Sequence, residues 1–189
     1  MAITDAGLSN LVLSTYSTNT YYSTYFNGTT DGLSTTSFAS LALGSGDWTI
    51  EAWVYTSVNP AQNIIIDFRT ADSGTNPVWW LTSNVLTWRY NTVSQIVSGT
   101  LTLNAWNHIA ICKNSGSLRQ FLNGVQVGST LSDTTTYTAA AFQIGKAWDS
   151  NYWNGYISNL RIVKGTGLYT TAFNPSLTQL TAITNTILL

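Results

Sequence analysis

The chain has 189 residues, of which 44% are hydrophobic and 13% aromatic but only 8% charged, about a third of the usual charged share. Seven basic against eight acidic residues leave a formal charge of −1, which excludes the cation clusters needed for nucleic-acid or polybasic membrane contacts. Eight Trp and ten Tyr exclude a disordered chain, because disorder pairs low hydrophobicity with high net charge.

Hydroxyls replace the missing charge: Ser and Thr make up roughly a quarter of the chain. Thr is β-branched and favours strands, while the helix-surface residues Glu and Lys are scarce, Glu51 being the only glutamate. This is an all-β composition with a polar, uncharged exterior. No apolar run approaches the ~20 residues of a membrane span, and residues 1–5 lack the basic and apolar segments of an export signal. Cytoplasmic synthesis without export is expected. So is one domain, since a chain this long buries about 70% of its unfolded surface.

Residues 1–18 carry Leu8, Leu11, Val12 and Leu13 among polar neighbours. They read either as an arm docked on a partner or as a first edge strand, with the domain proper over 19–189. A strand over 21–27 ends at the turn pair Asn27-Gly28, and another follows over 33–38. In 47–56, Trp48, Ile50, Ala52 and Val54 alternate with Asp47, Thr49, Glu51, Trp53 and Tyr55. Aromatics on both sides predict a central strand covered on each face. Strands are predicted over 63–69, 78–82, 85–90 and 106–113. Trp79-Trp80 must send one ring to the core and one outward, to a subunit contact or beneath a loop. Cys112 is the single cysteine; it allows no intrachain disulfide and suits a buried, inert thiol. His108, the single histidine, suits a structural imidazole. The clearest hairpin spans 118–127, with Asn123-Gly124 as a type I′ turn. Strands over 142–146, 156–163 and 183–189 complete the series; short turns, no long helical pattern and no repeats or linkers indicate an all-β sandwich or jelly roll.

At this point a family resemblance is carried by named segments. Trp48-Thr-Ile-Glu-Ala-Trp-Val-Tyr55 resembles the signature strand of laminin G-like domains in the concanavalin A-like lectin/glucanase superfamily. Tyr25-Phe-Asn-Gly28, Trp106-Asn-His-Ile-Ala110, Phe121-Leu-Asn-Gly124 and Phe142-Gln-Ile-Gly145 followed by Asn154-Gly-Tyr-Ile-Ser-Asn-Leu-Arg-Ile162 match in order. The resemblance covers about residues 20–189. The ending, Arg161 to Tyr169 and Asn185 to Leu189, is most similar to stand-alone versions in virion proteins of marine bacteriophages. The resemblance implies a two-sheet antiparallel jelly-roll sandwich (concanavalin A-like) and, for most members, glycan or protein binding through rim loops or the concave sheet, some members being glycan hydrolases.

Glucanases of this fold use two carboxylates, about 5–5.5 Å apart for retention or 6.5–9.5 Å for inversion. Here Asp47 and Glu51 share a strand face but stand about 13 Å apart at ~3.3 Å per residue, and Asp67 and Asp72 match no motif. No nucleophile-elbow, phosphate-loop or Cys-x-x-Cys pattern occurs. No enzyme is expected. In the loop 146–155, Trp148, Tyr152 and Trp153 offer faces on which a sugar could stack, and Asp149, Asn151 and Asn154 offer hydrogen bonds; some of the same rings could instead cap the core. The resemblance also implies calcium near the rim, as in many relatives; Asn27 stands where the family has Asp, and Asp31 and Asp149 are candidate oxygen ligands, with turn formation as their alternative role. The leading expectation is a non-enzymatic bacteriophage virion protein assembled in the host cytoplasm. Capsid decoration ranks first and a tail or fibre component next. Its expected partners are a major capsid or tail protein, further copies of itself (a trimer being one form) and host-surface glycan. The alternative is a soluble lectin-like carbohydrate-binding module.

Overall fold

Short runs of β-branched and aromatic residues, broken by Asn, Ser and Gly, give strands joined by tight turns. The computed structural model describes residues 11–16, 19–72 and 75–189. In chain order come β1 (Leu11–Tyr16), β2 (Asn19–Asn27), β3 (Leu33–Ser34), a 3-10 turn (Ala39–Leu41), β4 (Trp48–Tyr55), β5 (Asn63–Asp67), β6 (Val78–Thr82), β7 (Val85–Tyr90) and β8 (Val93–Thr100). They continue with β9 (Trp106–Asn114), β10 (Ser117–Leu122), β11 (Val125–Ser132), β12 (Gln143–Ile144), β13 (Asn154–Lys164) and β14 (Thr186–Leu188). The larger sheet runs β1-β2-β13-β4-β9-β10-β11, with β14 paired to β13, and the smaller runs β3-β12-β5-β6-β7-β8. All the pairings are antiparallel. The result is the expected all-β two-sheet sandwich, with jelly-roll crossovers where β2-β13-β4 and β3-β12-β5 neighbour each other. Within 1–18, Leu11–Tyr16 pair with β2 at the sheet edge, while residues 1–10 and 17–18 lie outside the described residues.

Four hairpins close through two-residue turns: Ser83-Asn84, Asn91-Thr92, Ser115-Gly116 and Asn123-Gly124, all at positive φ. This is the type I′ geometry, whose twist matches that of the flanking strands. Only Asn123-Gly124 carries the strong sequence signature, which is why β8, entered through Asn91-Thr92, escapes a reading of the sequence. The strand expected over 33–38 is regular only at Leu33–Ser34. Beyond it the backbone stays tied, with the Thr35 and Phe38 N–H groups donating to the carbonyls of Phe142 and Ala140 at 3.0 and 2.8 Å.

The β4 alternation holds. Trp48, Ile50, Ala52 and Val54 enter the core between the sheets, and Thr49 and Glu51 are buried on the opposite face. Trp48, Trp79, Trp88 and Trp153 are all 0% exposed, each removing a large apolar area from water. Trp79 donates its indole N–H to Gln120 Oε1 at 2.9 Å, and Gln120 Nε2 donates to Ser98 O at 2.8 Å, tying the sheets together. Trp80 faces outward and is covered. The Arg69 and Arg89 guanidiniums lie 5.2 and 5.6 Å from its ring centre, and Ala147 of the 146–155 loop packs with it. Of the two fates open to the outer ring, packing beneath a loop is the one observed. A buried ion pair also sits in the core, with Lys113 Nζ 3.4 Å from Asp133 Oδ2 and the Tyr137 hydroxyl donating to the same oxygen at 2.9 Å.

Gly155 shows how closely β13 and β4 approach. Its φ is 137°, and a Cβ there would stand 2.0 Å from the Tyr55 carbonyl oxygen. Gly155→Ala is therefore expected to destabilise the fold by about 2–3 kcal/mol, read as a lower urea midpoint and melting temperature.

Candidate functional site

The 146–155 loop is held by its own backbone. Ala147 N–H donates to Asn151 O and Trp153 N–H to Gly145 O, each at 2.8 Å, and Ser150 takes a left-handed φ of 63°. This pinning separates the ring-bearing residues. Trp148 is 39% exposed, while its backbone N–H donates to Asp67 Oδ2 at 3.4 Å. Asp149 is exposed, and Asn151 and Tyr152 are half-buried. Asn151 and Tyr152 line an open cleft of about 450 Å³ together with Asn59, Gln62, Ser150 and Asn154. Trp153 must be removed from the candidate surface. Its ring is wholly enclosed in the core cluster, where it is worth more as buried area than as a surface face.

The two candidate calcium ligands are placed differently. Asn27 Oδ1 accepts the N–H groups of Thr29, Thr30 and Asp31 at 2.9–3.2 Å, and Asp31 Oδ2 accepts the Asn27 N–H at 3.1 Å. The turn is thus closed by protein donors, and Asp31 acts there as a turn former. Among the described residues no group of three or more His, Cys, Asp or Glu is gathered to hold a metal, whereas calcium takes six to eight oxygens. Neither added calcium nor a chelator is expected to shift the melting temperature in a thermal scan.

Glu51 occupies the middle of the outer face of the larger sheet, on the side away from the core. Only 1% exposed, its carboxylate accepts Arg161 Nε at 2.9 Å and Nη2 at 2.5 Å, and the Tyr169 hydroxyl at 2.7 Å. His108 Nε2 lies 3.2 Å away, while Nδ1 has no partner among the described residues. Burial pushes the Glu51 pKa up, but the bonds to His108, Tyr169 and Arg161 together overcome this and hold it below its ordinary value. Burial first, and then the Glu51 charge, push the Tyr169 hydroxyl up.

Tyr169 belongs to a strap, residues 165–181, laid over this face. The Thr49 hydroxyl donates to Thr166 O at 3.0 Å, Phe173 N–H to Gly124 O at 2.9 Å, Trp53 Nε1 to Ser176 O at 3.1 Å and Arg161 Nη1 to Thr181 O at 3.1 Å. Tyr169 and Phe173 stack 3.6 Å apart and cover Phe121 and Cys112. Burial raises the Cys112 thiol pKa, so the cysteine is the inert group expected. Glu51 cannot meet a substrate beneath this cover. Asp47, its potential partner, accepts the Ser115 N–H at 2.7 Å in a turn.

Because folding lowers the Glu51 pKa, its stabilisation is complete above the ordinary value of 4.5 and is lost as pH falls through the lower folded value. Asp67, raised chiefly by burial, acts in the opposite sense, so the Glu51 contribution is read as a difference between two proteins. Glu51→Gln is expected to cost about 3–5 kcal/mol at neutral pH, with the gap to wild type narrowing below pH 4.5 in urea titrations.

One surface feature lies outside the predicted loop. Tyr25, Tyr156, Tyr55 and Trp106 stand opposite one another on the adjacent strands β2, β13, β4 and β9. Tyr25 and Trp106 are 36% and 41% exposed. Alternation along β4 puts Tyr55 on the Glu51 face, but the shared register with the other three rings cannot be read without the strand pairing.

Residues 27–166 match the Laminin G 3 family model, described as the Concanavalin A-like lectin/glucanases superfamily. The chain belongs to that superfamily. No curated protein matches it. Domains LG4-5 of the mouse laminin alpha1 chain share the fold with a TM-score of 0.57 at 15% identity, over 87% of this chain and 48% of that one. A putative carbohydrate binding protein from Bacteroides ovatus gives 0.56 at 15%, over 78% and 43%. Trypanosoma rangeli sialidase, in complex with the inhibitor DANA, gives 0.57 at 13%, over 81% and 26%. The chain thus spans between about a quarter and a half of the length of these structures, and at such identities the likeness is one of fold.

Proposed function

We propose that this superfamily member is a non-enzymatic, lectin-like carbohydrate-binding module. The observation that carries the reading is the rim cleft, whose uncharged lining of Asn59, Gln62, Asn151, Tyr152 and Asn154 offers amides and a phenol to sugar hydroxyls. Trp148, exposed on the same loop, supplies a ring face. The Bacteroides ovatus protein of the same fold, named as a putative carbohydrate binding protein, supports the reading. The burial of the only glutamate in an ion pair supports the non-enzymatic half, since a glycosidase needs two accessible carboxyl groups. On a glycan array the protein gives specific hits, and Trp148→Ala or Tyr152→Ala weakens them about tenfold, the value of one lost ring contact, with the melting temperature unchanged. An array without hits, or hits indifferent to both changes, overturns the assignment to this cleft.

We carry the reading one step further, to a bacteriophage virion component assembled in the host cytoplasm, a capsid decoration protein ahead of a tail or fibre subunit. Its support is a surface that repels its neighbours little. Charge is scarce, and Val93, Val97, Val125 and Leu177 are 55–71% exposed on edge strands and strap. Immunogold labelling of purified particles decides this: the protein is expected on the capsid, in contact with further copies of itself and with the major capsid protein. Label on the tail selects the second placement, and unlabelled particles remove both.

A further inference from the structure

We infer that the outer-face aromatic patch of Tyr25, Tyr156, Tyr55 and Trp106 is a second glycan contact, and that its ligand is a neutral polysaccharide chain. This rests on the carbohydrate-binding reading above and specifies the ligand. The patch begins where the strap ends. Along β4 the outward residues Thr49, Glu51 and Trp53 are each held or covered by residues 165–181, and Tyr55 is the first that lies clear of these contacts. The Tyr25 and Tyr156 rings are 5.1 Å apart; Tyr156, Tyr55 and Trp106 close into a triangle with sides of 5.8–6.3 Å. On the backbone the four residues span three strand spacings, about 14 Å, and the rings cover about two pyranose widths.

Ring orientation and chemistry select the ligand. Neighbouring planes are turned by 51–72°, so the patch offers no single plane to a crystalline surface, and a single chain is the form of ligand it fits. The three phenol hydroxyls and the Trp106 indole N–H place polar tips beside the apolar ring surfaces. Segments 20–30, 53–62, 102–107 and 150–160, which carry the patch and its borders, contain no Asp, Glu, Lys or Arg. An acidic glycan would find no cation there. Lys146, on the loop, lays its methylenes along Gly32. The patch also runs into the rim cleft. Asn154 lines the cleft and precedes Tyr156 by two residues on β13, directly opposite Asn27 on β2. A chain seated in the cleft is thereby led onto the rings. A protein partner would need a much larger apolar area than four partly exposed rings provide.

The test compares wild type, Trp106→Ala, Tyr156→Ala, Trp106→Phe and the cleft variant Tyr152→Ala. Binding is read by affinity gel electrophoresis and intrinsic tryptophan fluorescence. The probes are soluble β-glucans, xylan and mannan against alginate and a sulfated galactan, with circular dichroism and light scattering as controls for folding and self-association. The expected result is binding to one or more neutral chains and to neither acidic one, weakened at least tenfold by Trp106→Ala and Tyr156→Ala and largely kept by Trp106→Phe, all variants remaining folded. If Tyr152→Ala abolishes binding while the patch variants leave it intact, the patch is no ligand contact, although the carbohydrate-binding reading stands. Binding confined to the acidic chains overturns the neutral ligand class. A dimer dissolved by Trp106→Ala makes the patch an interface between copies. No binding to any probe removes both this inference and the function on which it rests.

Discussion

A carboxylate in the middle of a sheet face has to be neutralised before anything can cover it, and Glu51 imposes that condition on this protein. Arg161 arrives from the neighbouring strand and Tyr169 from the strap, each with its donor aimed at the carboxylate. Once they are in place the strap can lie flat and bury Cys112 and Phe121. Buried ion pairs of this kind add little net stability over a well-packed apolar substitute. Their effect is geometric: the strap has one seat. That seat leaves one end of the outer face closed and the other open.

The same habit recurs elsewhere. Asp67 and Asp72 hold Arg69 and Arg89 above Trp80, and Asp133 meets Lys113 in the core. About half of an already scarce charge inventory is thus turned onto itself. The exterior is left to Thr, Ser, Asn and aromatic rings, a surface that suits uncharged hydroxylated ligands and close packing beside neighbours alike. Fold, surface and function are linked through where the charges went.

The sequence made the sandwich legible because its signals are local. Alternation in β4 requires neighbouring residues to face opposite ways, and it placed Trp48 and Glu51 on their correct sides. Asn123-Gly124 announced its hairpin through a turn that needs positive φ twice. Trp79-Trp80 told that one ring must lie outside but not what would cover it, because Arg69 and Arg89 reach the ring from other elements. Trp153 looked like Trp148, another ring in a polar loop. The difference between them is that Trp153 falls in phase with Gly155 and Ile157, so the alternation that carries Ile157 of β13 into the core carries its ring there too, a phase that the polar loop composition around it masks.

Composition and strand pattern by themselves determined the all-β class, the sandwich of short strands, the inert thiol and the absence of a spaced carboxylate pair on β4. These properties follow from residue type and from a period of two, both of which survive without coordinates. Tertiary structure alone decided which groups share a surface. The four-ring patch depends on the register among β2, β13, β4 and β9, and the closing of the Glu51 face depends on a strap more than a hundred residues further along the chain. Contacts between residues so far apart in sequence are set by chain topology and packing, and no local pattern records them.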